Sequence, residues 1–245
     1  MEDFIFGVQA ITESLKARKN LDKIIIQRDL GKGSRLHEIL EMAELAKIPV
    51  IRVPIEKLDR VTRKNHQGVI AFLGFVDYVP LSNVIAQDFE EGRLPLILIL
   101  DRLTDVRNFG AICRTAEVAG VSAIVIPERG AAQINGEAFK TSSGALSFLP
   151  LCREPNLIET VKLLQNSGLQ IVACTEKTKD SIYQIDFNVP TAIILGSEED
   201  GISPELLRLA DNLGCIPQFG QVQSLNVSVA SGIIIYEAIR QRLVG

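Results

Sequence analysis

From Leu94 to the end of this 245-residue chain, short apolar runs recur with helical patterns between them, and this alternation limits the fold more than any other feature. The strand candidates are Leu96–Leu100, Ala123–Ile126, Gln170–Cys174, Ala192–Leu195 and Leu213–Ile216. Each is apolar at consecutive positions rather than at every second one, so both faces of the strand must be covered. That is the pattern of a parallel sheet buried between helices. Helices are predicted over 109–119, 156–166, 203–210 and 227–242, the last with an apolar face through Val229, Ile233, Ile234, Tyr236 and Ile239. Ser203 followed by Pro204 is a helix start, an N-cap with proline at the first helical position. The chain has no internal repeat.

Residues 1–76 read as a separate small α/β domain. Helical patterns cover Ala10–Ala17, Leu36–Ala46 and Ile55–Val61, and strand patterns cover Leu21–Gln27, Ile48–Val53 and Gly68–Phe75. Gly31, Lys32, Gly33 and Ser34 form a loop between them. Residues 77–93, mixed and charged at their end, read as a linker with room for a short helix. Residues 94–245 are then the second, larger domain.

Composition excludes several classes. With 47% hydrophobic and 23% charged residues the chain is foldable and not disordered. No apolar run reaches the ~18 residues of a membrane span, and Leu94–Leu100 is broken by Pro95. The opening MEDFIFG lacks a basic region, so no secretory signal is expected. Cys113, Cys152, Cys174 and Cys215 include no C-x-x-C pair, so reduced thiols in a cytoplasmic protein are expected, with no metal site. Trp is absent and aromatics are 5%, which disfavours a base-stacking platform. The net charge is −4, unevenly spread: residues 1–76 hold 13 Lys and Arg against 10 Asp and Glu, the remainder 13 against 20. Nucleic acid would be captured by the first domain and by local clusters such as Arg60, Arg63 and Lys64, a set that serves equally as a solvated helix face.

Three strand-end segments carry candidate chemistry, because ligands in an open parallel sheet bind beyond the carboxyl ends of the strands. In the first, Asp101 to Ala116, a helix start near Asn108 places Asn108 and Gly110 at a crevice suited to an anion, with Arg114, six residues on and read as not far off the same helix face, able to hold phosphate. A capping Asn and a surface Arg are the bland alternative. In the second, Leu195-Gly-Ser-Glu-Glu-Asp-Gly-Ile, Gly196 permits close backbone approach and Gly201 a positive φ. Three acidic residues there repel a phosphate-bearing ligand and admit a cationic or zwitterionic one. Glu198 is the candidate, and Glu199 and Asp200 read as a solvated turn. In the third, Ile216 to Ala230, a polar loop leads to Ser224-Leu225-Asn226 and the final helix. The three loops can converge on one pocket. Gly31-Lys-Gly-Ser is only a fragment of a dinucleotide fingerprint, no P-loop is present, and His37 and His66 have no triad or metal pattern.

N-x-G-x-x-x-R at 108–114, L-G-S-E-x-x-G-I at 195–202 and I-P…S-L-N-V-S-V-A at 216–230 resemble, in order and spacing, the three motifs of the SpoU (TrmH-like) RNA ribose 2′-O-methyltransferases. Residues 140–145 (KTSSGA) resemble the K-x-S-x-G-A segment of that family, although Lys140 is kept out of the catalytic set. Residues 4–76, through Gly7 and Asn65-His66-Gln67-Gly68-Val69, resemble its ribosomal-protein-like substrate-binding domain. The resemblance implies an α/β fold whose C-terminal part is tied in a deep trefoil knot, and a homodimer. It implies S-adenosylmethionine as cofactor, held by backbone groups at Thr175, Gly196, Ile216 and Leu225, with catalysis by Asn108, Arg114, Glu198, Ser224 and Asn226 and no metal. It implies transfer to a ribose 2′-hydroxyl, with a guanosine of large-subunit ribosomal RNA favoured by the domain layout and transfer RNA as the close alternative.

The family's base candidate is Arg114, yet a free guanidinium keeps its proton at neutral pH. Holding the adjacent phosphate and easing the developing alkoxide suits it better, and the base role stays open. A non-catalytic RNA-binding assembly factor predicts a broken motif set, which is not found. A nucleotide-binding oxidoreductase predicts a full G-x-G-x-x-G, which is absent.

Overall fold

The computed structural model of the chain describes residues 4–28, 34–46, 48–221 and 224–244. Gly31, Lys32 and Gly33, with the partial glycine fingerprint, lie outside the described residues, as do Val222 and Gln223 of the third loop. The chain divides into two compact units, Met1–Asp77 and Tyr78–Gly245.

In the first unit, β1 (Phe4–Phe6), β2 (Leu21–Gln27), β3 (Val50–Val53) and β4 (Val69–Leu73) form a sheet of order β1-β4-β2-β3. β4 runs antiparallel to β1 and β2, and β2 and β3 are parallel. The period-two alternation of a strand divides the core. Ile24 and Ile26 meet Ile11, Leu15 and Ile39 of α1 (Val8–Lys16) and α2 (Ser34–Leu45), whereas Ile25 joins Ile70, Phe72 and Leu58 under α3 (Ile55–Val61). β1 is an addition to the predicted elements: three residues give too short a pattern to read, and the strand exists because β4 pairs with it.

In the second unit, β5 (Leu96–Leu100), β6 (Ala123–Pro127), β7 (Leu151–Glu154), β8 (Gln170–Cys174), β9 (Thr191–Leu195) and β10 (Asn212–Gly214) form a six-stranded, all-parallel sheet of order β10-β8-β9-β5-β6-β7. Every residue of β5 and β9 is buried, at roughly 1.5–3 kcal/mol for each fully buried Leu or Ile. The expected parallel sheet, covered on both faces, is what forms. The chain lays β5, β6 and β7 outward in one direction, then crosses to build β8, β9 and β10 on the other side. The strand order therefore reverses at β5 and β9.

Four sequence expectations change. Within residues 77–93, the linker with room for a short helix, α4 (Leu81–Glu90) forms, and Leu81 and Ile85 pack into the core of the second unit rather than lying in a free connection. β7 (LCRE) and the six-residue α6 (Gly136–Thr141) were not predicted. Half of β7 is charged, and α6 is announced only by its cap, Asn135, which accepts from the Glu137 and Ala138 N–H groups. The face of α9 (Val227–Val244) is also different. Ile234, Ile235 and Ala238 are buried, but Val229 and Tyr236 are about half exposed. Apolar residues encircle this helix, so composition alone could not choose the buried side. Finally, α5 (Val106–Val118) starts before Asn108. Its N-cap is Asp105, whose Oδ1 accepts from the N–H groups of Arg107 and Asn108, both at 2.8 Å. No helix among the described residues is long and apolar enough to cross a membrane.

Candidate active site

The carboxyl ends of β8, β9 and β10 open onto a cavity of about 680 Å³, within the size range of small-molecule sites. Thr175 follows β8, Gly196 follows β9, and Ile216 follows β10. These three and Leu225 all line the cavity. Ser224 and Asn226 line it too, at the start of α9.

Local structure explains these positions. Thr175 is buried, its N–H donates to the Gly214 carbonyl at 3.0 Å and its Oγ1 accepts from the Lys177 N–H, so its carbonyl is the backbone group left for a ligand. Gly196 is required, but for a different reason from the one read in the sequence. A Cβ there would lie 2.1 Å from the Gly201 carbonyl carbon and 2.2 Å from the Ile202 nitrogen. The close approach is to the chain's own backbone, as the turn Ser197–Gly201 folds back on the strand end. That turn is closed by reciprocal bonds between the N–H and carbonyl groups of Ser197 and Gly201, and Gly201 adopts φ +69°.

Three of the predicted catalytic side chains meet. The Asn108 Nδ2 donates to Glu198 Oε1. The Asn226 Nδ2 donates to Asn108 Oδ1 at 3.1 Å and lies 3.4 Å from Glu198 Oε1. Asn226 also caps α9, its Oδ1 accepting from the Ser228 N–H at 2.9 Å and hydroxyl at 2.6 Å. The cluster thus joins the start of α5, the turn after β9 and the start of α9. Asn108, Glu198 and Asn226 keep one another in place, and Glu198 Oε2 has no partner among the described residues.

Arg114 is not brought into this group. It is exposed on α5, does not line the cavity, and makes no hydrogen bond or ion pair with a described residue. Its separation from Asn108 by six residues turns it well away from that side chain on the helix.

The rim carries Glu176, Glu198, Glu199 and Asp200 against Lys177. Such a rim repels phosphate and suits a ligand with cationic groups. Asp200 is not merely solvated, because Arg102 pairs with it at 3.1 Å. Arg102, Glu176 and Lys177 were missed in the sequence because they belong to no recognised motif. Asp105 carried a readable signal, a capping residue type just ahead of a helical pattern. Burial pushes the Cys174 thiol on the cavity wall up to about 12, so it stays protonated at neutral pH. Cys113 and Cys152 are fully buried and all four cysteines are free. Among the described residues no group of three His, Cys, Asp or Glu side chains forms a metal site.

An open parallel sheet with a cavity beyond the carboxyl ends of its strands, and a polar cluster at its rim where the strand order reverses, is the layout of an α/β enzyme that binds a small ligand. Comparison with known proteins gives the family. Residues 95–236 match the SpoU rRNA methylase family, and residues 4–79 match the RNA 2′-O ribose methyltransferase substrate-binding family. A Bacillus subtilis protein assigned to the TrmH family of tRNA/rRNA methyltransferases is 34% identical over 240 residues, covering 98% of this chain and 96% of that one. The crystal structure of an AdoMet-bound rRNA methyltransferase from Sinorhizobium meliloti is similar with a TM-score of 0.62 at 25% identity, covering 97% of this chain and 86% of that one. The A. aeolicus TrmH/SpoU tRNA modifying enzyme is similar with a TM-score of 0.56 at 32% identity, covering 65% and 85%. The chain belongs to the SpoU family of RNA methyltransferases.

Proposed function

We propose that this RNA methyltransferase acts on a ribose 2′-hydroxyl of ribosomal RNA, a guanosine of the large subunit, with the Asn108–Glu198–Asn226 cluster at the reaction centre. The methyl donor is S-adenosylmethionine. The observation that carries the reading is the meeting of these three side chains beside the cavity lined by Thr175, Gly196, Ile216 and Leu225.

The cavity residues fit that donor. Its volume suits a nucleoside-sized ligand, and its acidic rim suits the sulfonium and ammonium groups. Bound there, the donor supplies an electrophilic methyl group on sulfur. The chain's own task is to bring a hydroxyl oxygen in line with that carbon, which is a matter of placement. Asn108 and Asn226 each present an amide that can orient a ribose hydroxyl, and Glu198 keeps both amides turned the right way. Ser224 reaches the substrate from the same rim. Arg114, free of partners among the described residues, holds the phosphate next to the reacting ribose and eases the developing alkoxide.

Arg114 stands outside the cavity of its own chain, so this role belongs to a homodimer, in which the Arg114 of a second copy serves the site. The half-exposed Val229 and Tyr236 of α9 offer an apolar surface for that pairing. A deep trefoil knot in the second unit belongs to the same proposal, supported by likeness to the family's structures and by the return of α9 to pack on α5. The first unit captures the RNA, which its match to the substrate-binding family and its net positive charge support. The free thiols suit a cytoplasmic setting.

The test is transfer of label from S-adenosylmethionine to undermodified ribosomal RNA and, separately, to transfer RNA. Label in ribosomal RNA that maps to a ribose 2′-oxygen, reduced about 100-fold or more by Arg114→Ala, is expected. Label in transfer RNA alone overturns the choice of substrate, and label on a base overturns the choice of acceptor atom.

A further inference from the structure

The turn bearing Glu198 is held from outside the cavity by a residue with no assigned role. We propose that Arg102 is a positioning residue for methyl transfer: it seats the Ser197–Gly201 turn at the cavity and, through it, fixes Glu198. The proposal rests on the reading of that cavity as the S-adenosylmethionine site.

Arg102 directly follows the buried Asp101 at the end of β5 and has φ +56°, a left-handed conformation that an L side chain rarely adopts. Glycine would take this conformation without strain. The chain keeps an arginine here, and its guanidinium spans the turn. Its Nη1 donates to Asp200 Oδ2 at 3.1 Å and its Nη2 donates to the Gly201 carbonyl at 3.1 Å. Asp101, 3.4 Å from the Arg102 Nε, accepts from the Ser203 N–H at 2.7 Å on its other oxygen. Two consecutive residues at the end of β5 therefore grip positions 200, 201 and 203. From the β8 side, Lys177 Nζ lies 3.4 Å from the Asp200 carbonyl.

The turn has little slack of its own. Its ends are bonded to each other, the Asp200 N–H donates to Ser197 Oγ, and no side-chain atom fits at Gly196 beneath it. It moves as one piece, so an anchor at 200–201 sets the place of Glu198. A half-exposed ion pair such as Arg102–Asp200 contributes little to folding stability. The bidentate grip on one short turn, made from a strained backbone, is instead suited to setting geometry.

Arg102→Gly in the full-length protein separates positioning from stability. The melting temperature is expected to stay level or rise, because the left-handed strain is relieved. S-adenosylhomocysteine binding by calorimetry is expected to weaken about 10-fold, with kcat falling by about 10-fold or more. Arg102→Lys, which keeps the charge but cannot span both acceptors, is expected between the two. Wild-type binding and turnover in Arg102→Gly overturn the proposal, as does a loss of activity that tracks a fall in melting temperature. If the wild-type protein takes up no S-adenosylhomocysteine, the cavity reading fails. Hydrogen exchange then still decides the hold: faster exchange of the 197–201 amides in Arg102→Gly supports it, and unchanged exchange overturns it.

Discussion

Each unit holds a polar cluster, and the two differ in how completely they are satisfied. In the first unit His66 is buried. Its Nδ1 accepts from the Gly68 N–H at 3.0 Å and its Nε2 donates to Asp59 Oδ1 at 3.1 Å. Both ring nitrogens are used, and the ring closes a turn in which Gln67 and Gly68 have positive φ. In the second unit Asn108, Glu198 and Asn226 gather at a cavity rim, with Glu198 Oε2 still available among the described residues. Hydrogen-bonding capacity that is fully spent and buried supports a fold. Capacity that is aligned but left over at a concave surface is what a substrate can use.

Glu198 is where this contrast is most exposed to failure. Glu198→Ala is expected to lower kcat by about 100- to 1,000-fold, measured by methyl transfer, while unfolding free energy shifts by less than about 0.5 kcal/mol. A large loss of stability would place Glu198 with His66 as a structural group. His66→Ala should do the reverse. It leaves the Gly68 N–H buried without its acceptor, at a cost of about 1–3 kcal/mol in denaturant unfolding, with kcat at saturating RNA unchanged. Asp59→Ala is expected to have the smallest effect. Its carboxylate is about half exposed and water can replace it, so about 0.5–1 kcal/mol is expected in the same measurement. An equal loss for Asp59→Ala and His66→Ala would mean that the Gly68 bond contributes nothing.

Much of this molecule was legible before its structure. β2, β5, β8 and α3 have the bounds that periodicity implied, the strands because of their β-branched or apolar runs and α3 because Ile55, Leu58 and Val61 recur at helical spacing. The pattern leaves room for α4 but not for its place in the core, because its charged end masks Leu81 and Ile85, which matter only once a sheet is there to receive them. β1 and β7 are strands by virtue of their partners, β4 and β6, and local pattern carries no record of a partner. At the site, eight of the nine candidate residues fall within the three motifs, and Thr175 comes only from what the family resemblance implies. In the fold, all of the nine but Arg114 line the cavity or join its rim cluster, and Arg114 stands apart. Arg102 matched no motif, and only its long-range bonds reveal it.

Local sequence was enough to set the alternation of buried strands and helices, and with it the fact that polar loops follow the strand ends. Both are short-range consequences of apolar periodicity and capping chemistry. Which of those loops would touch came only from the packing of the whole chain. Asn108 meets Glu198 across 90 residues and Asn226 across 118. A parallel sheet gathers the carboxyl ends of its strands along one edge whatever their distance in the chain. The order β10-β8-β9-β5-β6-β7 then selects the neighbours, and that order follows from how the entire core closes, which no single segment encodes.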